Sequence, residues 1–225
     1  MTKAESAVER AIQLFNQGEY TEALYAVQGV AHTESVYPSA LEVSALCLVR
    51  TASSEEALTL LEYAHKLAPD NASIAYNLGV TANDCDQREI AMLAYQQALR
   101  IEPNYADVLW NYSELLRVEE HFEMAMPLFE RLLPMLPESR LPDFYHRLGV
   151  TQAALNMDKA AVSSFEKRLK LGGEEVALSQ WEYSHLLLSM GEWEKGWQAY
   201  DYRFAAGDKT GVRCQPFDLP MWDGS

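Results

Sequence analysis

Histidine and cysteine are the side chains of this sequence best suited to holding a metal ion or acting as a nucleophile. A structural zinc site needs them in close, regular groups, such as two CxxC pairs or a CxxC followed by spaced histidines. The sequence has no such group, and its cysteines are too widely separated, and odd in number, for a disulfide framework. We therefore expect neither a metal site nor a disulfide, and we expect thiols in a reducing compartment. The residues concerned are His32, His65, His121, His146, His185, Cys47, Cys85 and Cys214.

Catalytic motifs are the second chemical possibility. The sequence contains no glycine loop that could cradle a phosphate, no HExxH motif and no nucleophile elbow. The adjacent carboxylates at 119–120 and 174–175 fall where helix ends or loops are expected, so solvated charge accounts for them. We predict no catalytic residue and no cofactor in this chain.

The charge balance of the 225-residue chain restricts its partners. There are 18 lysines and arginines against 33 aspartates and glutamates, which gives a net charge of −15. Nucleic acids and anionic membrane surfaces are bound through basic residues, so both are disfavoured as partners. No apolar run reaches membrane-spanning length, and charges interrupt the first apolar stretch, where a signal peptide would have none. We expect a cytoplasmic protein that is monomeric or weakly dimeric.

The elements that would position any binding residue follow from a repeat with a period of 34 residues. A small position, a large position and a proline position at this period are typical of two helices per unit. Neither helix would be long enough to be stable alone, so the units must stack. The recurring residues are Ala23, Ala57, Ala91 and Ala125, then Val27, Leu61, Tyr95 and Phe129, and finally Pro69, Pro103 and Pro137.

The stretch ASIAYNLGVTANDCDQREIAMLAYQQALRIEPN, which begins at Ala72, resembles the tetratricopeptide repeat. The matching residues are Leu78, Gly79, Ala91, Tyr95, Ala98 and Pro103. The resemblance implies an all-α fold, a right-handed superhelix of about six helix-turn-helix units whose concave wall is lined by the first helix of each unit. It predicts units near 4–37, 38–71, 72–105, 106–141, 142–176 and 177–204, followed by a short irregular tail at 205–225. We expect Gly79 and Ala91 to allow the paired helices to approach closely, and Tyr95 to fill the groove against the next unit.

In this family the groove is lined mainly by the second, fifth, sixth, ninth and twelfth residues of each unit. The fifth position carries a ring in four consecutive units, namely Tyr76, Trp110, His146 and Trp181. Leucines already supply the core stripe of the first helices, so packing within a unit does not require these rings. One interpretation is that the row of rings contacts a partner. The other is that it fills space between helices, since a large residue is common at this position in the family.

The remaining groove positions carry polar and mixed side chains. The sixth position adds Asn77 and Asn111, whose amides can donate to and accept from a peptide backbone at once. The O-linked N-acetylglucosamine transferases have a ladder of asparagines at this place, and the resemblance implies the same role here. In this sequence the ladder is incomplete, because Val43, Arg147 and Glu182 interrupt it. The ninth and twelfth positions add Val80, Asn83, Glu114, Arg117, Val150, Ala153, His185 and Leu188.

The first units lack the basic residues and asparagines with which chaperone-binding tetratricopeptide domains clamp an acidic C-terminus. Val8, Ile12, Glu42 and Leu46 stand at the corresponding positions. A carboxylate clamp is therefore not expected.

The last unit, MGEWEKGWQAYDYRF, and the LPMWDGS that follows resemble a junction in bacterial proteins that carry tetratricopeptide repeats before a glycosyltransferase-like domain. The resemblance implies that such a domain would follow this chain. A plainer interpretation, compatible with the first, is that Trp222 folds back near Trp197 and Tyr200 and covers the end of the stack. The matching residues are Gly191, Trp193, Gly196, Trp197, Tyr200, Arg203, Pro220, Trp222 and Gly224.

These patterns predict a protein-recognition module that binds an acceptor polypeptide in its concave groove. The resemblance implies the substrate-binding arm of a protein glycosyltransferase that acts on flagellin or another surface protein. The nucleotide sugar would then be bound by the following domain. The alternative is a non-enzymatic scaffold or adaptor that assembles a protein complex.

Overall fold

The computed structural model describes residues 2–51 and 53–207, and this part of the chain contains helices and turns but no strand. The expected all-α fold is thereby confirmed. Short 3₁₀ turns lie at Leu133–Met135, Glu138–Arg140 and Asp201–Arg203. The α-helices of the described residues are α1 (Lys3–Gln17), α2 (Tyr20–Val27), α3 (Tyr37–Thr51), α4 (Ser54–Leu67), α5 (Ala72–Asp84), α6 (Arg88–Ile101), α7 (Ala106–Val118), α8 (Phe122–Leu132), α9 (Leu141–Ala154), α10 (Asp158–Leu171), α11 (Val176–Ser189) and α12 (Trp193–Tyr200).

These helices form consecutive pairs, and the first helix of each pair begins at, or one residue before, the predicted start of its unit. The chain divides into two compact units, and the boundary between them in the sequence falls within α7. The first unit ends at Leu115 and the second begins at Leu116. None of the described helices is both long enough and apolar enough to cross a membrane.

The turn between the two helices of a pair uses a left-handed backbone conformation in five pairs. The amide that follows this residue donates to a carbonyl five residues back, as His121 does to Leu116 at 2.7 Å. That bond ends the first helix, because it satisfies one of the terminal carbonyls. Side chains other than asparagine or aspartate are disfavoured in this conformation. The residues that adopt it are Gly18, Asp86, Glu120, Asn156 and Gly191, with φ between 57° and 83°.

Within the third pair, a glycine makes room for a ring. A Cβ atom added at Gly79 would lie 2.5 Å from the Tyr95 ring, which is far inside van der Waals contact. Tyr95 is 2 % exposed and Ala91 is fully buried beside it in α6. The expected close approach at Gly79 is therefore an approach of the α6 ring to the α5 backbone. The physical reason is that hydrogen in place of a side chain leaves space for the whole edge of a phenol.

The same rings connect consecutive pairs. The aromatic residue of a second helix lies against an aromatic residue in the first helix of the next pair, with centroid distances from 5.3 to 5.8 Å. Such distances are favourable for both stacked and edge-on ring pairs. The expectation that the Tyr95 ring packs against the next repeat is confirmed. The ring pairs are Tyr95–Tyr112 in the first compact unit, and Phe129–Phe144 and Phe165–Tyr183 in the second compact unit.

The fifth pair ends without the closing proline, and a buried arginine orders the connection instead. Arg168 in α10 is 1 % exposed, and its guanidinium donates to the carbonyl of Gly172 at 2.6 Å and to that of Glu174. Gly172 and Gly173 both have positive φ, which glycine adopts at no steric cost. The charged side chain thus satisfies carbonyls that a continued helix would have satisfied.

We predict that Gly79→Ala destabilises the protein by roughly 1–3 kcal/mol, because the new methyl group overlaps the Tyr95 ring. The higher helix propensity of alanine offsets less than about 1 kcal/mol of this loss. Urea denaturation followed by circular dichroism measures the difference.

Gly29→Ala is the matched control, because a Cβ atom there would have no neighbour within 4 Å. We expect it to leave the free energy of unfolding nearly unchanged. Equal stabilities of the two variants would contradict the assigned role of Gly79.

Candidate functional site

In the first compact unit, a half-buried carboxylate joins two neighbouring first helices. Glu42 lies in α3, and its Oε1 atom accepts hydrogen bonds from the Ser73 hydroxyl at 2.6 Å and from the Asn77 amide at 2.7 Å. Both donors lie in α5. These charge-assisted bonds hold the carboxylate and the amide in a fixed mutual orientation.

The same connection recurs one repeat later with different side chains. The amide of Asn111 in α7 donates to the hydroxyl of Tyr76 in α5 at 3.1 Å. Both amide bonds span 35 residues, from the fifth position of one repeat to the sixth position of the next. An amide has two N–H groups and one oxygen, so each asparagine retains one N–H and its oxygen for a further partner.

Tyrosine rings surround this polar connection. The Tyr76 ring lies 5.3 Å from the Tyr105 ring and 6.5 Å from the Tyr95 ring. The pKa of Tyr105 is raised, mainly by burial, then by Tyr76 and by acidic groups that include Glu42. Tyr76 therefore packs between helices and also leaves part of its side chain accessible, and its contact with a partner stays a prediction.

The outer end of the first-unit face is also polar. The Asn83 side-chain oxygen accepts a hydrogen bond from the Arg88 guanidinium at 2.6 Å. This bond fixes the orientation of the Asn83 side chain through its oxygen, whereas Asn77 and Asn111 are fixed through an amide N–H. The remaining predicted residues of this unit are half-buried, and they are Val80, Trp110 and Glu114.

In the second compact unit, a half-buried histidine occupies the fifth position. The Nδ1 atom of His146 in α9 lies 3.0 Å from the hydroxyl oxygen of Ser179 in α11, and the donor depends on the tautomer. Burial lowers the pKa of His146 to about 4, with further lowering by the positive charges of Arg117 and Arg168. The imidazole is therefore neutral at neutral pH, and it serves as an uncharged connection between two first helices.

A second group of polar and aromatic residues lies on α11. The Trp181 and His185 rings meet edge-on at 4.7 Å, and His185 lies 6.0 Å from the Tyr200 ring. The indole nitrogen of Trp181 is buried and has no hydrogen-bond partner among the described residues. Burial raises the pKa of Glu182, although His185 at 4.0 Å and the Arg117 charge act against that rise. This face is thus mixed in polarity, like that of the first unit.

The structure brings the predicted site residues together in two sets, one in each compact unit. Tyr76, Asn77 and Asn111 belong to connected side chains in the first unit. In the second compact unit Trp181 and His185 are in contact, the Arg117 charge helps to lower the pKa of His146, and Val150 packs against the core. The assignment of these residues to a binding surface stays a prediction.

Several residues of the two faces were not singled out by the sequence. Glu42 entered the sequence argument only to exclude a carboxylate clamp, yet it is the centre of the first-unit connection. The signal that could have found it is the offset of 35 residues between a fifth-position acceptor and a sixth-position amide. Ser73 and Glu182 stand at the second and sixth positions, which line the groove in the family, but their types did not indicate these contacts. Only packing between helices brings Tyr105 and Ser179 to these faces.

The C-terminal end of the described chain exposes two indoles. Trp193 and Trp197 of α12 are 62 % and 57 % exposed, and Trp197 meets the Tyr200 ring edge-on at 5.5 Å. The expected contact with Trp222 lies outside the described residues. Within the described part of the chain, no three histidine, cysteine or acidic side chains come together in a way that could hold a metal ion.

Paired helices that stack through rings and present half-buried polar groups on their first helices define a helical-repeat protein. The tetratricopeptide repeat family model matches residues 72–105, the stretch that carries the resemblance in sequence. The recognised repeat therefore includes α5 and α6, with Gly79, Tyr95 and the first-unit asparagine Asn77.

Two curated proteins are similar in sequence over part of the chain. Protein FlbA of Caulobacter vibrioides is 26 % identical over 161 residues, which are 69 % of this chain and 26 % of FlbA. An N-terminal acetyltransferase A complex subunit-like protein of Schizosaccharomyces pombe is 25 % identical over 122 residues, which are 54 % of this chain and 17 % of that protein. The chain thus spans about a quarter or less of the length of these relatives.

Solved structures of MamA share the fold. The MamA RS-1 ArsTM double mutant has a TM-score of 0.67 at 14 % identity, covering 78 % of this chain and 97 % of that chain. MamA from Desulfovibrio magneticus RS-1, from residue 41 to its end, has a TM-score of 0.64 at 14 % identity, covering 77 % and 94 %. MamA AMB-1 has a TM-score of 0.64 at 18 % identity, covering 76 % and 99 %. At these identities the similarity concerns the fold alone.

The buried neutral state of His146 predicts a pH-dependent stability. The pKa of His146 is about 4 in the folded chain and near 6.5 when unfolded, so between these values the unfolded chain binds a proton that the folded chain does not. Stability is therefore lost as the pH falls from 6.5 towards 4, by roughly 3 kcal/mol in all. Urea denaturation at pH 7 and pH 4.5 measures this loss.

His146→Gln should remove most of this part of the pH dependence, whereas substitution of the exposed His121 by glutamine should not. Glu182→Gln should make the loss steeper. The raised pKa of Glu182 means that the folded chain binds more protons there, which opposes the effect of His146. An unchanged pH profile in His146→Gln would contradict the buried neutral state.

Proposed function

We propose that this protein binds an extended segment of another polypeptide along the first-helix faces of its repeats. The observation that carries the proposal is the recurring connection of 35 residues, in which an amide of one repeat is oriented by the preceding repeat. A row of oriented amides matches the chemistry of an extended peptide backbone, which offers a donor and an acceptor at every residue.

Pre-organisation favours binding by such a face. The side-chain amides of Asn77 and Asn111 are already held by Glu42 and Tyr76, so little rotamer freedom remains to be lost when a peptide binds. The rings beside them supply apolar area at low entropic cost, which is why tyrosine and tryptophan dominate binding hot spots. The half-buried Trp110 is the largest such ring in the first unit.

The finer proposal is that the bound segment belongs to an acceptor of glycosylation, flagellin or another surface protein, and that this chain is the recognition arm of the transferase. It is supported by the junction pattern that runs from Gly191 to Arg203 and onward to Trp222. The exposed indoles of Trp193 and Trp197 lie within that pattern. The nucleotide sugar would be bound by another domain, and this chain itself would carry no cofactor.

We expect Trp110→Ala to weaken binding of flagellin by roughly 2 kcal/mol or more, about thirtyfold, because the largest ring of the first-unit face is lost. Biolayer interferometry with purified flagellin measures the affinity, and circular dichroism should show unchanged helical content. Trp193→Ala is the matched control, since it removes an exposed indole from α12, a second helix.

Phe129→Ala provides the opposite comparison. Phe129 is 1 % exposed, so its truncation should cost roughly 3–5 kcal/mol of stability. If Trp110→Ala unfolds the protein in the same way, or leaves the affinity for flagellin untouched, the ring row serves packing and the proposed binding face is wrong.

The glycosylation proposal makes a separate prediction. Flagellin from cells that lack the gene should have a lower mass than flagellin from the parent strain, by the mass of its sugars. The purified chain alone, given flagellin and a nucleotide sugar, should transfer none. Intact-protein mass spectrometry measures both outcomes. Binding of flagellin without any mass difference between the strains would favour a scaffold over a transferase arm.

A further inference from the structure

Only one of the two oxygens of the Glu42 carboxylate accepts hydrogen bonds from the described residues. Its Oε1 atom accepts the bonds from Ser73 and Asn77, whereas its Oε2 atom accepts no hydrogen bond from the described residues. No lysine or arginine of the described chain forms an ion pair with this side chain. A carboxylate that is fixed by two donors and lacks a cationic partner is unusual on a face that is half-buried.

Two phenol rings lie on the same face. The Tyr76 and Tyr105 ring centroids are 5.3 Å apart. Tyr76 belongs to α5, the helix that also supplies Ser73 and Asn77. Ser73, Tyr76 and Asn77 are spaced i, i+3, i+4 on α5 and so share one face of that helix, and Glu42 is bound to the first and the last of them. The Glu42 charge also contributes, as the smallest cause, to the raised pKa of Tyr105. The face therefore combines a negative charge with electron-rich rings.

We propose that Glu42, Tyr76 and Tyr105 form a subsite for a lysine side chain of the bound polypeptide. This inference rests on the proposed function, and it names the side chain that the first-unit face selects. An ammonium group is attracted both by a carboxylate and by the faces of aromatic rings. The net charge of −15 adds a long-range attraction for basic segments.

The geometry favours lysine over arginine. A guanidinium binds carboxylates best through two parallel hydrogen bonds to both oxygens, but one oxygen of Glu42 is already engaged by Ser73 and Asn77. An ammonium is a compact charge with three donors, so it can use the single open oxygen of Glu42 without a bidentate arrangement. The methylene groups of lysine can lie along the Tyr76 and Tyr105 rings.

The test is a selection of random heptapeptides displayed on phage against three full chains: wild type, Glu42→Gln and Glu89→Gln. Glutamine at position 42 keeps the oxygen that Ser73 and Asn77 use, so the melting temperature should stay at the wild-type value. Glu89 is exposed in α6, a second helix, and its replacement changes the net charge by the same amount. Wild type and Glu89→Gln should enrich peptides with lysine at one fixed position, and Glu42→Gln should lose that enrichment.

A selected peptide and its lysine-to-norleucine and lysine-to-arginine analogues then give affinities by isothermal titration calorimetry. The lysine peptide should bind Glu42→Gln roughly tenfold more weakly than wild type, and the norleucine peptide should bind both proteins equally. Tyr105→Leu should weaken the lysine peptide several-fold, and added salt should reduce the difference between the lysine and norleucine peptides.

The possible failures are distinguishable. Enriched peptides without a fixed lysine, or lysine enrichment that survives in Glu42→Gln, would overturn the subsite and leave the proposed function standing. Tighter binding of the arginine analogue would contradict the single-oxygen geometry. If wild type enriches no peptide and does not bind flagellin, the proposed function itself is wrong and the subsite is lost with it.

Discussion

The structure depends on one constraint: none of its described helices can persist alone. The longest span 15 residues, which is marginal for an isolated helix in water. Stability must come from packing between helices, and rings of the second helices provide it in both compact units. The Tyr95 ring occupies the space left by Gly79 and then meets Tyr112 of the next first helix. One side chain thereby holds a pair together and joins it to its neighbour, so the loss of space at a single glycine affects two interfaces.

The same stacking creates the first-helix faces that are proposed to bind. Once the second helices fix the spacing of the repeats, the fifth and sixth positions of adjacent first helices come within hydrogen-bond distance. Asn77 then meets Glu42, and Asn111 meets Tyr76, at a constant offset. In the second unit the hydrogen bond of His146 goes to Ser179 instead, and burial keeps the imidazole neutral. Tyr76 and His146 of the ring row therefore connect repeats, while part of each side chain stays accessible.

The sequence predicted the helices, their pairing and the small position at Gly79, because these follow from a period of 34 residues and from the size of a side chain. It did not predict what each polar side chain would bind, since a period assigns a face and not a partner. Glu120 shows the same limit at a turn: nothing in its type suggests a left-handed backbone, which is imposed by the turn that ends the helix before it. Arg168 is another example. An arginine is expected to be exposed, but this one is buried and donates to carbonyls of the glycine-containing segment that follows α10.

The internal repeats separate positions that serve stability from positions whose proposed role is recognition. The small position of the second helix holds Ala23, Ala57, Ala91, Ala125, Ala161 and Gly196, all of them buried. The fifth position of the first helix holds Val8, Glu42, Tyr76, Trp110, His146 and Trp181, which differ in size, charge and hydrogen-bonding capacity. Close packing permits little change at the first set, because added volume separates the helices. The second set can change in chemistry as long as it still bridges two repeats. A face built on such positions can present a carboxylate in one repeat and an indole two repeats later on an unchanged backbone, and that variation is what recognition of a particular polypeptide sequence requires.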